Sequence, residues 1–119
     1  MRTEQQIRKI KEVILNNKNG FTINLNGKFV NKDNGYFISL TNIKGRNLNL
    51  LIKKALYIQR IGFKNNKNIY LGGWVDKQNN FFLDLTIHIK DLNLSKEIGI
   101  KFNQQAIFNI KKLEEVYLK

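Results

Sequence analysis

Three residues in one predicted hairpin have side chains that could do chemistry. The stretch YLGGWVDKQNNFFLDL, Tyr70 to Leu85, places Asp76 and Asp84 on either side of a polar turn, and His88 follows. Two carboxylates across a hairpin could hold Mg²⁺ or act as an acid/base pair. The structural alternative is that Asp76 opens the turn through its side chain, while Asp84 hydrogen-bonds Trp74 or pairs with a lysine. These everyday roles favour the structural interpretation.

The rest of the catalytic inventory is small. His88 is the only histidine, there is no cysteine, and neither serine (Ser39 or Ser95) lies in a G-x-S-x-G context. A zinc site needs three or four N, S or O ligands. Neither a phosphate-binding loop, nor a dinucleotide fingerprint, nor an H-E-x-x-H motif occurs. We predict a protein that is not an enzyme and uses no metal or cofactor.

Charge is the strongest compositional signal. The chain has 21 Lys and Arg against 9 Asp and Glu, a formal net charge of +12. An AT-rich genome would enrich Lys but also Asp and Glu, so codon bias does not explain the imbalance. A domain this basic attracts polyanions such as RNA or DNA. Lysine predominates over arginine, which favours contacts with phosphates over the reading of bases.

The Gly-Gly-Trp sequence within the hairpin has two interpretations. Gly72 and Gly73 weaken a strand unless a bulge or a large neighbour needs the room, so Trp74 could simply fill a gap. In the second interpretation, Tyr70 and Trp74 share an open sheet face with His88 and Lys90. Aromatic rings among positive charges then form a platform on which unpaired bases stack. The packing interpretation is the more common role of large aromatic residues.

The helices and strands that position these residues are predicted from the spacing of apolar residues along the chain. Apolar positions spaced by three and four residues predict three helices, which span about 3–17, 47–61 and 92–103. Asn47 is a plausible N-cap of the second helix, Gly62 its C-terminal glycine, and Asp91 or Asn93 caps the third. Asn26-Gly27 lies between two short alternating runs in FTINLNGKFV and predicts a hairpin of two strands. Strands are predicted at 36–41, 69–75, 81–89 and 106–110, the last followed by an ambiguous tail.

These elements predict one α+β domain over residues 1–119. Their order is α-β-β-α-β-β-α-β, and hairpins dominate, so we expect a mainly antiparallel sheet with helices packed on one face. No apolar run approaches the roughly 20 residues of a membrane span. The N-terminus lacks a signal-peptide core. We therefore expect a cytoplasmic protein, with no membrane among its partners.

Five segments in order carry a resemblance to a known family: GFTINL, GYFISL, GGWVD, FFLDL and NQQAIFNI, between Gly20 and Ile110. The pattern resembles a small domain carried by phages, plasmids and other mobile elements. Two positions depart from it: Asn109 stands where the family pattern has Asp, and the turn after Asp76 lacks the usual glycine. The resemblance implies a context in which short proteins without catalytic equipment inhibit host defence, as anti-CRISPR and anti-restriction proteins do.

Two functions remain open at this point. The first is a phage-type inhibitor that binds a host defence ribonucleoprotein or nuclease stoichiometrically and occludes it. The alternative is a stand-alone nucleic-acid-binding module that uses its lysines and the aromatic hairpin. Both predict the same contact residues: Lys53, Lys54, Arg60, Lys64, Lys67, Tyr70, Trp74, His88 and Lys90.

Overall fold

The computed structural model of the chain describes residues 3–66 and 68–118, and these form three helices and a seven-stranded antiparallel sheet. The helices are α1 (Thr3–Leu15), α2 (Leu48–Gly62) and α3 (Leu92–Lys101). The strands are β1 (Phe21–Ile23), β2 (Tyr36–Ser39), β3 (Ile43–Gly45), β4 (Ile69–Val75), β5 (Phe81–Ile89), β6 (Ala106–Asn109) and β7 (Glu114–Tyr117). The predicted α+β class with an antiparallel sheet is confirmed. Among the described helices, none is long and apolar enough to cross a membrane.

Local capping chemistry starts two of the helices. The Asn47 side chain accepts a hydrogen bond from the Leu50 amide at 3.1 Å, which satisfies a free N–H of the first turn of α2. The Asp91 side chain likewise accepts a hydrogen bond from the Leu94 amide, at 2.7 Å. Asp91 rather than Asn93 therefore caps α3. Gly62 is the last helical residue of α2 rather than a residue beyond it. Each predicted helix therefore forms, with ends displaced by a few residues.

The longest strand, β5, organises the sheet. The strand order is β1-β4-β5-β2-β6-β7, and β3 also pairs with β5. Along one edge β5 pairs continuously with β4, from Ile69 opposite Ile87 to Val75 opposite Phe81. Along its other edge β2 and β3 lie one after the other, with β2 opposite residues 86–89 and β3 opposite 81–83. Asp84 and Leu85 therefore lie where one partner strand ends and the next begins.

The hydrophobic core lies between the helices and one face of the sheet. Ile10, Ile52, Ile38, Leu71 and Leu85 are completely shielded from solvent, and they come from both helices and strands. A Cβ on Gly99 of α3 would contact Ile107 of β6, so the third helix packs on this same face. The alternation along β5 puts Leu83, Leu85 and Ile87 inward, as predicted from period two.

None of the described helices lies on the opposite side of the sheet, and we call this side the open face. Its residues, assigned from strand register, are Thr22, Phe37, Ser39, Lys44, Tyr70, Gly72, Trp74, Phe82, Asp84, Thr86, His88, Ala106, Phe108, Glu115 and Tyr117.

Two local predictions differ from the structure, and the segment left ambiguous is now defined. The turn at Asn26-Gly27 forms, but the strand expected after it reduces to a single bridge between Ile23 and Phe29. The ambiguous tail becomes β7, which pairs with β6. The bulge suggested for Gly72-Gly73 is absent, because the β4–β5 register runs without interruption.

Candidate functional site

A cleft of about 510 Å³ crosses the open face, and we call it the Asp84 cleft. Its floor is built from small or polar residues, because Gly72, Ser39 and Ala106 place little bulk above the strands. Trp74 lines it on the side of β4, and Phe37 and Phe108 line it on the side of β2 and β6. The alternation of strands therefore brings together side chains that are distant in sequence.

Trp74 forms an aromatic wall together with Phe82. The two ring centroids are 4.4 Å apart and the rings are nearly parallel, with 8° between their planes. Trp74 is nevertheless 48% exposed, so it does not fill a gap in the core as the packing interpretation required. Phe82 belongs to the open face by the same alternation that places Asp84 and His88 there, a signal that the sequence contained.

The two glycines before Trp74 have separate roles. A Cβ on Gly73 would collide with the backbone oxygen of Phe82 and lie 2.9 Å from the ring of Phe21, so no larger residue fits. A Cβ on Gly72 would meet the Thr86 hydroxyl at 3.3 Å, beside Asp84 on the open face. Gly73 therefore lets β4 approach its neighbours, and Gly72 keeps the floor of the cleft free.

Asp84 lies in the floor of the cleft, at the junction between β2 and β3. Its carboxylate accepts a long hydrogen bond from the Ser39 hydroxyl at 3.4 Å and another from the Ile43 amide. Burial raises the pKa of Asp84 from 3.8 to about 6, although both hydrogen bonds lower it. Among the residues that the structure describes, no lysine pairs with Asp84, and Trp74 does not donate the expected hydrogen bond to it.

Asp76 is a structural turn residue. Its Oδ1 accepts hydrogen bonds from the amides of Gln78 and Asn80, and its Oδ2 accepts one from the Asn80 side chain. These hydrogen bonds, that of the Asn80 side chain first, lower the pKa of Asp76. Asp76 lies four residues beyond Gly72, the partner of Asp84, so about 14 Å of strand separate the carboxylates. The described residues include no group of three His, Asp or Glu side chains that could hold a metal ion.

A loop covers one end of the open face, and Tyr70 and His88 lie beneath it. They are 9% and 6% exposed, respectively. The Lys32 ammonium lies 5.9 Å from the Tyr70 ring centroid, and the Asn34 carbonyl oxygen lies 2.8 Å from His88 Nε2. Since a carbonyl only accepts, His88 Nε2 must carry a proton and donate it. Trp74 is thus the accessible one of the three sheet residues predicted to contact a partner.

The second candidate surface is the outer side of α2. Lys53, Lys54 and Arg60 are exposed there, and α2 contains no acidic residue. The Arg60 guanidinium lies 5.9 Å from the centroid of the exposed Tyr57 ring. A hollow of about 450 Å³ beside these residues is also lined by Thr3 and Gln6 of α1.

The predicted contact residues therefore divide between two sides of the molecule. Lys53, Lys54 and Arg60 lie on the helix layer, with the exposed Lys64 just after α2, and Trp74 lies across the sheet from them. Lys90 is exposed beyond the end of β5, and Lys67 lies outside the described residues.

Sequence reasoning missed the aromatic and acidic residues that β2, β6 and β7 bring to the cleft. Phe37, Phe108 and Glu115 line it because β2 pairs with β5, β6 with β2, and β7 with β6. Strand order of this kind has no local signal in the sequence.

Fold and surface together define a two-layer α+β domain whose sheet has one helix-covered face and one accessible aromatic face. Comparisons with models of protein families, with curated proteins and with solved structures find no match to this chain.

Proposed function

We propose that this protein binds nucleic acid without catalysis, through the outer surface of α2. The observation that carries the proposal is the concentration of exposed positive charge there. Lys53, Lys54 and Arg60 are exposed on a helix with no acidic residue, and Lys64 follows it. Within residues 3–66 and 68–118 the one ion pair joins Lys9 and Glu12, at 4.0 Å, so none of these four cations forms an ion pair there.

The chemistry of this surface favours the nucleic-acid backbone over the bases. Lysine ammonium groups act as point charges that neutralise phosphates and release counterions. Tyr57, with Arg60 beside its ring, adds an exposed flat group on which an unpaired base can stack. We infer a preference for single strands with little sequence specificity.

The test removes three positive charges from α2 and, in a second variant, three from elsewhere on the surface. The loss of oligonucleotide binding is then compared between the two variants. The variant K53Q/K54Q/R60Q should bind a labelled single-stranded oligonucleotide more weakly than the unaltered protein does. The slope of log K against log salt should fall by about 2, since each contact contributes about 0.7. The matched control is K77Q/K111Q/K112Q, which removes three exposed cations from turns of the sheet. Equal losses in the two variants would mean that net charge alone, and not α2, attracts the nucleic acid.

A second candidate function is occlusion of a host defence nuclease complex. The observation that favours it is the different chemistry of the open face, where Trp74, Phe108 and Tyr117 are 48%, 36% and 69% exposed. Large exposed aromatic residues are typical of protein interfaces. A protein with one basic and one aromatic side could contact both parts of a nucleoprotein complex.

The test for occlusion combines capture with an activity assay. A tagged protein is used for pull-down from a host lysate treated with nuclease, and the captured protein is then purified. Occlusion predicts that one equivalent of this domain abolishes cleavage of nucleic acid by the captured enzyme, and that W74A does not. If everything captured disappears after nuclease treatment, the domain binds polyanions only and this second function is excluded.

A further inference from the structure

The Asp84 cleft has a charge opposite to that of the protein that contains it. In a chain with a net charge of +12, its lining includes two acidic residues, Asp84 and Glu115, and neither Lys nor Arg. Among the described residues, no cation lies within 4.0 Å of either carboxylate. Lys44 lines an adjoining hollow on the β3 side, with Trp74 and Asp84, but it does not line the cleft itself. The cleft is therefore suited to a different ligand from that of α2.

The position of Asp84 leaves it able to accept further hydrogen bonds. Ser39 and Ile43 donate to the carboxylate from the side of β2 and β3. A carboxylate accepts about four hydrogen bonds, so lone pairs remain for a donor that enters the cleft. On the β4 side, Gly72 lies opposite Asp84 and has no side chain to block that approach. Burial without a cation is unfavourable to the carboxylate, and a cationic ligand would relieve this penalty.

Aromatic rings border the carboxylate. Trp74, supported from behind by Phe82, and Phe108 both line the cleft, and both are partly accessible to solvent. The face of an aromatic ring attracts a cation, and tryptophan does so most strongly. A planar cation can stack on a ring while its edge donates to a carboxylate.

We propose that the Asp84 cleft binds an arginine side chain presented by a protein partner. The guanidinium would donate two parallel hydrogen bonds to the Asp84 carboxylate and lie against the Trp74 ring, with Glu115 adding negative charge. A lysine ammonium fits less well because it is a strongly hydrated point charge that cannot stack. A nucleotide fits less well because its phosphate would be brought near two carboxylates.

Trp74 makes the test direct, because it is the only tryptophan and its fluorescence reports on the cleft. The probes are N-acetyl-arginine amide and its neutral isostere N-acetyl-citrulline amide, followed by N-acetyl-lysine amide and guanosine monophosphate. We expect saturable quenching or enhancement by the arginine compound, with the citrulline compound binding about tenfold more weakly. This inference does not depend on nucleic-acid binding by α2, so either can fail alone.

Isosteric variants locate the binding within the cleft. Asp84→Asn should weaken arginine binding about tenfold, whereas the control Glu97→Gln, on an exposed position of α3, should leave it unchanged. Glu115→Gln should weaken it about twofold, as expected of a solvent-exposed charge, and this variant keeps the test valid if Asp84→Asn does not fold. Circular dichroism establishes folding in each case.

Three results would overturn the proposal. One is the absence of any saturable response to the arginine compound. Another is equal affinity for arginine and citrulline, which would mean that charge is irrelevant. The last is tighter binding of guanosine monophosphate than of arginine, which would identify the cleft as a site for a base.

Discussion

Trp74 lies face to face on Phe82, its cross-strand partner, with 4.4 Å between ring centroids, although nearly half of the tryptophan is in contact with solvent. Large aromatic residues usually serve the core, but here the core lies on the other face of the sheet. The stack instead stands as a rigid wall above the floor in which Asp84 lies. A preorganised aromatic wall loses little conformational entropy when a ligand packs against it.

Removing this wall should have only a modest effect on stability. Trp74→Ala loses the stacking contact but no core packing, so we expect the free energy of unfolding to fall by about 1 kcal/mol. Leu85→Ala, at a completely buried position, should lower it by about 3 kcal/mol. Urea denaturation followed by circular dichroism measures both. A loss for Trp74→Ala as large as that for Leu85→Ala would show that the tryptophan is a core residue.

Gly73 should be the less replaceable of the two glycines in the hairpin. Gly73→Ala places a Cβ against the Phe82 backbone, so we expect the free energy of unfolding to fall by about 2 kcal/mol or more. The β4–β5 pairing should also be disturbed. The control is Gly62→Ala at the end of α2, where a Cβ meets nothing within 4 Å. For Gly62→Ala we expect the free energy of unfolding to rise by up to about 1 kcal/mol, because alanine has a better helix propensity than glycine. Thermal unfolding of the two variants tests the contrast, and similar behaviour would contradict it.

Asp84 should make the stability of the protein depend on pH. Its pKa is about 6 in the folded protein and 3.8 ordinarily, so the folded state holds its proton more tightly than the unfolded state. The stabilising effect of that proton is therefore complete below about pH 4 and is lost as pH rises through about 6. The shift corresponds to about 3 kcal/mol at most, and solvent screening of this partly exposed group reduces it to about 1–2 kcal/mol.

The measurement for this prediction is chemical denaturation of the unaltered protein and Asp84→Asn at several pH values. The asparagine carbonyl can still accept from Ser39 and Ile43, but it carries no charge. Asp84→Asn should thus be more stable than the unaltered protein by about 1 kcal/mol at about pH 7.5, and the difference should vanish near pH 4. The other titratable groups on this part of the open face, Glu115, Lys44 and His88, are common to both proteins. A difference independent of pH would refute the role of burial.

The N-cap of α2 should contribute to stability but not to nucleic-acid binding. Asn47→Ala removes the acceptor for the Leu50 amide, and we expect a loss of about 1 kcal/mol. Asn49→Ala, at an exposed position in the first turn, serves as the control and should change stability by less than about 0.5 kcal/mol. Oligonucleotide binding by the folded Asn47→Ala protein should be nearly unchanged, because the cationic residues lie one turn or more away. A large loss of binding would assign α2 a role beyond electrostatics.

Local chemistry determined the elements that could be read from the sequence alone. Asn47, Asp91 and Asp76 act through hydrogen bonds to amides two to four residues away, so their roles as caps and turn residue were visible in the sequence. The period-two alternation along β5 placed Asp84 and His88 on one face for the same reason, because side-chain direction depends only on position in the strand. The net charge of the chain also follows from the sequence alone, because it does not depend on the fold.

Only the tertiary structure decided what surrounds each of these residues. Asp84 and His88 share a face, yet Asp84 lines an accessible cleft whereas the loop containing Lys32 and Asn34 covers His88. The cleft itself depends on β2 and β3 sharing one edge of β5 and on β6 and β7 adding Phe108 and Glu115. The choice of strand partner depends on the summed packing of all the elements, and no short segment encodes it.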